Sequence, residues 1–207
     1  MNSSEDSSQK TQKDVFQDLK RRLKTTRKAR INASKRLRKK HELYEKTTHV
    51  YSVVILVLSI WFIGDNGSDD YNLFVTKILL ILSLALTFFT MYINTKNYKE
   101  RASEFETNYQ NLDILLNKID RIESESIEID NEILKELHRE YEKLLLEKEN
   151  HQDIDYMISS DKLQEKFKIQ ICIYRLKTFL ISLLVVIHPI VLLGFILLVN
   201  LLLRKFL

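Results

Sequence analysis

Cysteine, proline and glycine are nearly missing. One cysteine, Cys172, stands in 207 residues, beside 1 Pro and 3 Gly. A single thiol excludes an internal disulfide and a thiolate zinc site built within one chain. It reads as a small buried residue in a reducing compartment. So few turn formers predict long helices. The sequence holds no glycine-rich phosphate loop, no nucleophile elbow and no zinc-spaced pair of histidines. Neither an enzyme nor a bound cofactor is expected.

Charge is missing too, but only in places. Thr47–Gly64 has no charged residue, Tyr71–Thr95 has only Lys77, and Thr178–Leu203 has none. A helix needs about 20 mostly apolar residues to cross a core of roughly 30 Å. The second and third runs, 25 and 26 residues long, exceed that, and the first, at 18, sits at the short end. Three such runs in one short chain argue against the buried helices of a soluble protein. A signal peptide is disfavoured because 46 charge-rich residues precede the first run.

The expected fold is an all-α membrane protein. It has a tight two-helix transmembrane hairpin, a cytoplasmic helical bundle and a third, C-terminal transmembrane helix. Composition sets the boundaries: a disordered N-terminus over 1–13, a basic amphipathic cytoplasmic helix over 14–46, a hairpin with spans 47–64 and 71–95, a bundle over 96–177 and a span over 178–203. Residues 28–47 carry eight Lys and Arg, whereas the Asp65–Asp70 link carries none. That asymmetry places the N-terminus and the 94–177 segment in the cytoplasm, with the chain multi-pass in the inner membrane. His188 and Pro189 lie mid-span. Proline removes a backbone hydrogen bond and kinks a helix, so a re-entrant bend is the alternative there.

Residues 1–46 hold 15 Lys+Arg against 6 Asp+Glu. Val15, Phe16, Leu19, Leu23, Ile31, Ser34 and Leu37 recur at helical spacing. A basic amphipathic helix beside a span rests on anionic lipid, each basic group contributing about 1 kcal/mol. Aromatic stacking residues are sparse there, which disfavours direct nucleic-acid binding. Residues 94–177 hold 14 Lys+Arg against 19 Asp+Glu. Tyr98, Ala102, Phe105, Tyr109, Leu112, Leu116 and Ile119 alternate steps of four and three, a heptad-like seam running straight on from span two. "SESIEID" interrupts it. Ile133, Leu137, Tyr141, Leu144 and Leu145 mark a second helix, and a third leads from Asp153 into the last span.

Polar residues persist inside the apolar runs. Thr76, Ser83, Thr87, Thr90 and Asn94 fall on one helix face, and Ser52 and Ser59 stand seven apart on the first run. Hydroxyls in lipid either bond between helices, for about 0.6 kcal/mol each, or line a water path when several copies form a ring. Lys77 either snorkels to the outer headgroups or sets a ring of positive charge that favours anions. His188, ionisable in mid-membrane, is a candidate gate or proton relay, against a neutral imidazole bonded to a neighbouring helix. His151 and Asp155 are four apart and share a helix face, but two ligands do not make a metal site, and none is assigned.

Two motifs remain. "RASEFETNYQNL" follows span two, and "YEKLLLEKENHQDIDY" lies further along the helical return. With the basic helix and the hairpin of spans, this order of parts resembles the SLATT domain family, two-span effectors of bacterial conflict systems, over residues 15–176. The matching positions are Arg101, Phe105, Tyr109, Tyr141, Glu149, Asn150, His151, Asp155 and Tyr156, which form a candidate signalling interface. The resemblance implies a membrane effector in antiviral defence. It implies coupling to a nucleotide-signal-producing enzyme or a nucleic-acid-sensing partner, in one branch a reverse transcriptase. Triggered effectors of this kind open pores or disrupt the membrane and halt the infected cell. The third span departs from the family's minimal pattern.

The functional expectation is a homo-oligomeric, pore-forming or membrane-disrupting effector that embeds in the lipid bilayer and acts by abortive infection. The alternative is a non-conducting membrane adaptor that tethers a cytoplasmic partner or nucleic acid.

Overall fold

The computed structural model describes residues 2–63, 69–125, 129–147 and 149–206. Seven helices follow in order: α1 (Asn2–Ile63), α2 (Asp69–Asn94), α3 (Tyr98–Ser124), α4 (Asn131–Leu146), α5 (Asp153–Met157), α6 (Asp161–Lys166) and α7 (Lys168–Phe206). No strand occurs among the described residues. Most of the expected Asp65–Asp70 link and the middle of "SESIEID" lie outside them. The chain divides into two compact units, Met1–Arg38 with Lys99–Tyr174, and Lys39–Tyr98 with Arg175–Leu207.

Helix α1 differs from its expected pieces. It begins at Asn2 rather than at residue 14, and no boundary separates the basic segment from the first apolar run. Neither Gly nor Pro occurs before Gly64 to stop it, and adding residues to an existing helix is far easier than nucleating one. Gln12 Nε2 donates to Asn131 Oδ1 at 3.0 Å, tying the early turns down. The packed positions of the first unit keep a seven-residue register: Phe16, Leu23, Arg30 and Leu37, with Leu19, Thr26 and Ala33 between them. That is the seam of a coiled coil.

On α3 the buried stripe is Ala102, Phe105, Asn108, Leu112, Leu115, Leu116 and Ile119. It passes over Asn108 where the sequence suggests Tyr109. Steps of three and four are both open at that point, and the Asn108 amide finds a partner, the Leu144 carbonyl at 2.9 Å. Tyr109 sits at the edge, its hydroxyl donating to Glu106 at 3.4 Å. Helix α4 starts at Asp130, whose carboxylate caps the Ile133 N–H at 2.7 Å. It turns Leu137 and Tyr141 inward onto Phe16, Leu19 and Leu23 of α1 and Leu112, Leu115, Leu116 and Ile119 of α3. Each large side chain buried in this three-helix core stabilises it by about 1.5–3 kcal/mol. Rim pairs such as Lys118 with Glu140 (2.7 Å) and Glu136 (2.9 Å) are half-exposed and add about 0–1 kcal/mol each.

The α3 seam is not carried by the same helix as α2. The helix breaks at residues 95–97, where Asn97 takes φ 47°. Asn is among the few residues that adopt this left-handed conformation readily.

In the second unit, α1 buries Thr47, Val54 and Leu58. Tyr44 stacks on Tyr98 (centroids 5.8 Å apart, 13°) and meets the edge of Phe89 at 6.4 Å. Among the described residues, most of the other large apolar side chains of this unit face out. Leu80, Ile81 and Phe88 of α2 are 67, 64 and 63% exposed, and Leu184 and Ile190 of α7 are 68 and 64% exposed. Water does not tolerate an apolar surface this extensive. Two helical segments, in α2 and α7, are long and apolar enough to cross a membrane, with 0% and 6% of their apolar windows buried. A soluble core helix would be covered. The protein is therefore an all-α membrane protein. The first apolar run is not among these two. Its end leaves the described residues, and what remains falls short of the roughly 20 residues a span requires. Helix α7 runs unbroken through Pro189. Cys172, expected to be buried, is exposed on α7.

Candidate functional site

The segment after α4 has few apolar residues, and polar bonds hold it in place. Arg101 of α3 grips the Glu149 carboxylate, with Nε and Nη2 at 3.0 and 2.8 Å from Oε1. Arg30 of α1 donates to the Glu149 carbonyl. Two helices thus clamp one residue, by its side chain and by its backbone. Further along, Asn32 Nδ2 donates to the Asp155 carbonyl at 3.1 Å, and Arg36 pairs with the Asp155 carboxylate. Residues 149–156 form a strap across α1 and α3, fastened by three arginines and an asparagine.

Arg101 and Glu149 are more than a third exposed, but the Arg30 and Asp155 side chains lie in a nearly dry interior. Arg30 is 1% exposed and occupies a core position of the α1 seam. Its guanidinium lies over the Phe105 ring, 5.3 Å from the centroid, so part of its charge is met by the ring face. Burial pulls Arg30 below its ordinary value, opposed by Glu149. His151 stacks on Tyr156 (6.4 Å, 30°), and burial, then the Arg30 charge, holds its imidazole below the usual histidine value. The Gln152 N–H donates to Asp155 Oδ2 at 3.1 Å, which starts α5. Both Asp155 oxygens are engaged by Arg36, while His151 Nδ1 is buried with no hydrogen-bond partner among the described residues.

Most of the motif positions converge here: Arg101, Phe105, Glu149, His151, Asp155 and Tyr156. Asn150 contributes locally, its Oδ1 accepting the His151 N–H at 3.1 Å. Tyr141 sits at the edge of the α1, α3 and α4 core, its hydroxyl 2.8 Å from Thr26 Oγ1. Tyr109 bonds elsewhere, to Glu106. Sequence reading missed the α1 half of the site: Arg30, Asn32 and Arg36. The signal was present, because Arg30 interrupts a seven-residue apolar register with a charge.

In the second unit, the hydroxyls of the α2 stripe bond to their own helix: Thr76 to Asn72, Ser83 to Leu80, Thr87 to Ser83 and Thr90 to Leu86, at 2.8–3.0 Å. Ser52 and Ser59 do the same on α1. No interhelical hydroxyl bond of the expected kind occurs among these residues. A groove brings Ser59, Asn72, Thr76 and Ser83 together, and leaves Ser52, Lys77, Thr87, Thr90 and Asn94 outside its walls. His188 Nδ1 hydrogen-bonds the Tyr51 hydroxyl, joining α7 to α1.

A family model described as SMODS and SLOG-associating 2TM effector domain family 5 matches residues 12–200. No curated protein and no solved structure matches the chain. The match extends into α7, so the third apolar run belongs to the family's domain and is not an addition to it. A helical unit with an arginine-fastened strap, and a second unit whose apolar helices need lipid, therefore make up one domain: the chain belongs to the SMODS and SLOG-associating 2TM effector domain family, the SLATT family.

Proposed function

We propose that this protein is a homo-oligomeric effector of the bacterial inner membrane. It permeabilises the bilayer in antiviral defence, halting or killing the infected cell, once its helical first unit is triggered. The observation that carries the reading is the polar face of α2. Its hydroxyls are all bonded to their own backbone. Such a face can border lipid at rest and water after opening without losing a hydrogen bond. A single stripe cannot enclose a path, but a ring of copies can. The N-terminus lies in the cytoplasm, because the basic flank precedes the first apolar run. The first run serves as a further span.

The strap over 149–156 is the receiving element. It is held by ionic and hydrogen bonds, which a polar signal or partner surface can replace one for one. A ligand shifts such an equilibrium only by binding the released form more tightly than the fastened one. The trigger comes from a nucleotide-signal-producing enzyme or a reverse transcriptase partner.

Expression of the chain with a potential-sensitive dye and a membrane-impermeant stain tests this. Depolarisation is expected on activation, and Thr76→Leu with Ser83→Leu is expected to reduce it. An intact potential at high expression with the partner present would favour the adaptor, which tethers without conducting.

A further inference from the structure

An open groove of about 300 Å³ lies between α1, α3 and the turn before α6, in the first unit. Lys24 and Lys28 line it from α1, Asn117 from α3, and Ser159 and Ser160 from the turn. Ser159 is 3% exposed, and its Oγ has no hydrogen-bond partner among the described residues. Buried hydroxyls are nearly always bonded, so one that lines a groove with its bond unmade points to something that enters the groove. Ser160 Oγ accepts the Leu163 N–H at 3.4 Å, which leaves its own proton free to donate.

The groove's charge balance favours an anion. Its two carboxylates are already neutralised, Asp113 by Arg27 and Asp120 by Lys20 at 2.7 Å. Lys28 is exposed and has no ionic partner among the described residues, and Lys24 is exposed and forms no ion pair among them. What remains is two ammonium groups, two hydroxyl donors and an amide around one opening. A carboxylate has two oxygens for these donors. A phosphate presents three or more, and lysine serves phosphate well as a compact point charge.

We propose that this groove is a binding site for a phosphate ester, its oxyanion held by Lys28 and Lys24 and by the hydroxyls of Ser159 and Ser160. Asn117 and the rest of the opening accommodate the organic group. A soluble phosphate ester and a phospholipid headgroup share this chemistry. Ser159 adjoins the strap, its N–H donating to the Tyr156 carbonyl at 2.9 Å, but the groove takes no side chain from residues 149–156 or from the α2 stripe, so a failure of conduction would leave it untouched.

The test uses the full chain in detergent, titrated by calorimetry with inorganic phosphate and glycerol 3-phosphate. In parallel, the chain is placed in nanodiscs of phosphatidylglycerol or phosphatidylcholine, and lipid retained through delipidation is measured. Saturable binding of the soluble probes, or selective retention of phosphatidylglycerol, is expected, and the arm that responds identifies the source. Lys28→Glu should weaken it about tenfold or more, the loss of one charge-assisted bond. Lys28→Arg should retain it, and Ser159→Ala should weaken it less. Because Lys28 is exposed, its variants keep the fold, which circular dichroism confirms. Absence of both kinds of binding, or equal affinity in the parent, Lys28→Glu and Ser159→Ala chains, would overturn the proposal.

Discussion

Arg36 and Asp155 form a two-pronged ion pair, Nε 3.0 Å from Oδ1 and Nη2 2.9 Å from Oδ2, with side chains 10% and 3% exposed. Breaking the pair from one side strands a charge in the interior. Arg36→Ala is expected to destabilise the first unit by about 3–5 kcal/mol. Arg36→Met combined with Asp155→Leu, which removes both charges and refills the space, should lose much less. Denaturant titration of the solubilised chain measures both; equal losses would mean that the pair is not the fastening described above.

His151 gives the first unit a pH dependence. Burial, then the Arg30 charge, lowers its folded value, while Asp155 and Asp153 act in the opposite sense. Its ordinary value, 6.5, belongs to the unfolded chain. As pH falls, the unfolded state takes up the proton first, so this contribution is complete above about 6.5 and declines as pH drops through that value. His151→Phe should flatten the slope of stability between pH 7.5 and about 5.5. Arg30→Met should raise the His151 titration midpoint, read by NMR of the ring protons.

Leu112 is 0% exposed at the centre of the three-helix core. Leu112→Ala is expected to cost about 2–5 kcal/mol through lost transfer energy and a residual cavity. Ile114, two residues on and 65% exposed, is the control: its replacement by Ala should stay within about 0.5 kcal/mol. Thermal melts of the two variants side by side decide the matter.

Tyr51→Phe removes the hydroxyl that bonds His188 and keeps the ring. The expected loss is about 0.6 kcal/mol, the usual worth of such a bond between apolar helices. A much larger loss would mean that the pair organises more of the second unit than one contact.

Lys77 lies on the exposed side of α2, outside the groove walls. In an open ring it would favour anions at one mouth. Lys77→Glu should then reverse or abolish that preference in single-channel recordings. Unaltered selectivity would assign Lys77 to the headgroups instead.

The fold was legible wherever the pattern was strong. Long helices follow from the shortage of Gly and Pro, and the α2 and α7 runs are read from their lack of charge. The α3 and α4 stripes follow from their spacing, apart from Asn108. Its amide takes a core position only because Leu144 offers a carbonyl, a partner that spacing within one helix does not reveal. The α1 half of the strap site was hidden for a similar reason. Arg30, Asn32 and Arg36 sit in a segment rich in basic residues, where a charge is ordinarily a solvated one. Their partners are more than a hundred residues away. The hydroxyl stripe was legible as a face, but its bonding was not, since Ser and Thr choose between their own carbonyl and a neighbour's according to what packs beside them.

Asn108 also restricts how the first unit can move. Its side chain is 1% exposed, and its amide reaches the Leu144 carbonyl across the α3 and α4 interface. Sliding one helix past the other by a turn, about 5.4 Å, would carry the amide away from that oxygen and into hydrocarbon. Piston travel between α3 and α4 therefore costs about 1–3 kcal/mol at this one residue, which favours peeling or pivoting as the change of state in this unit.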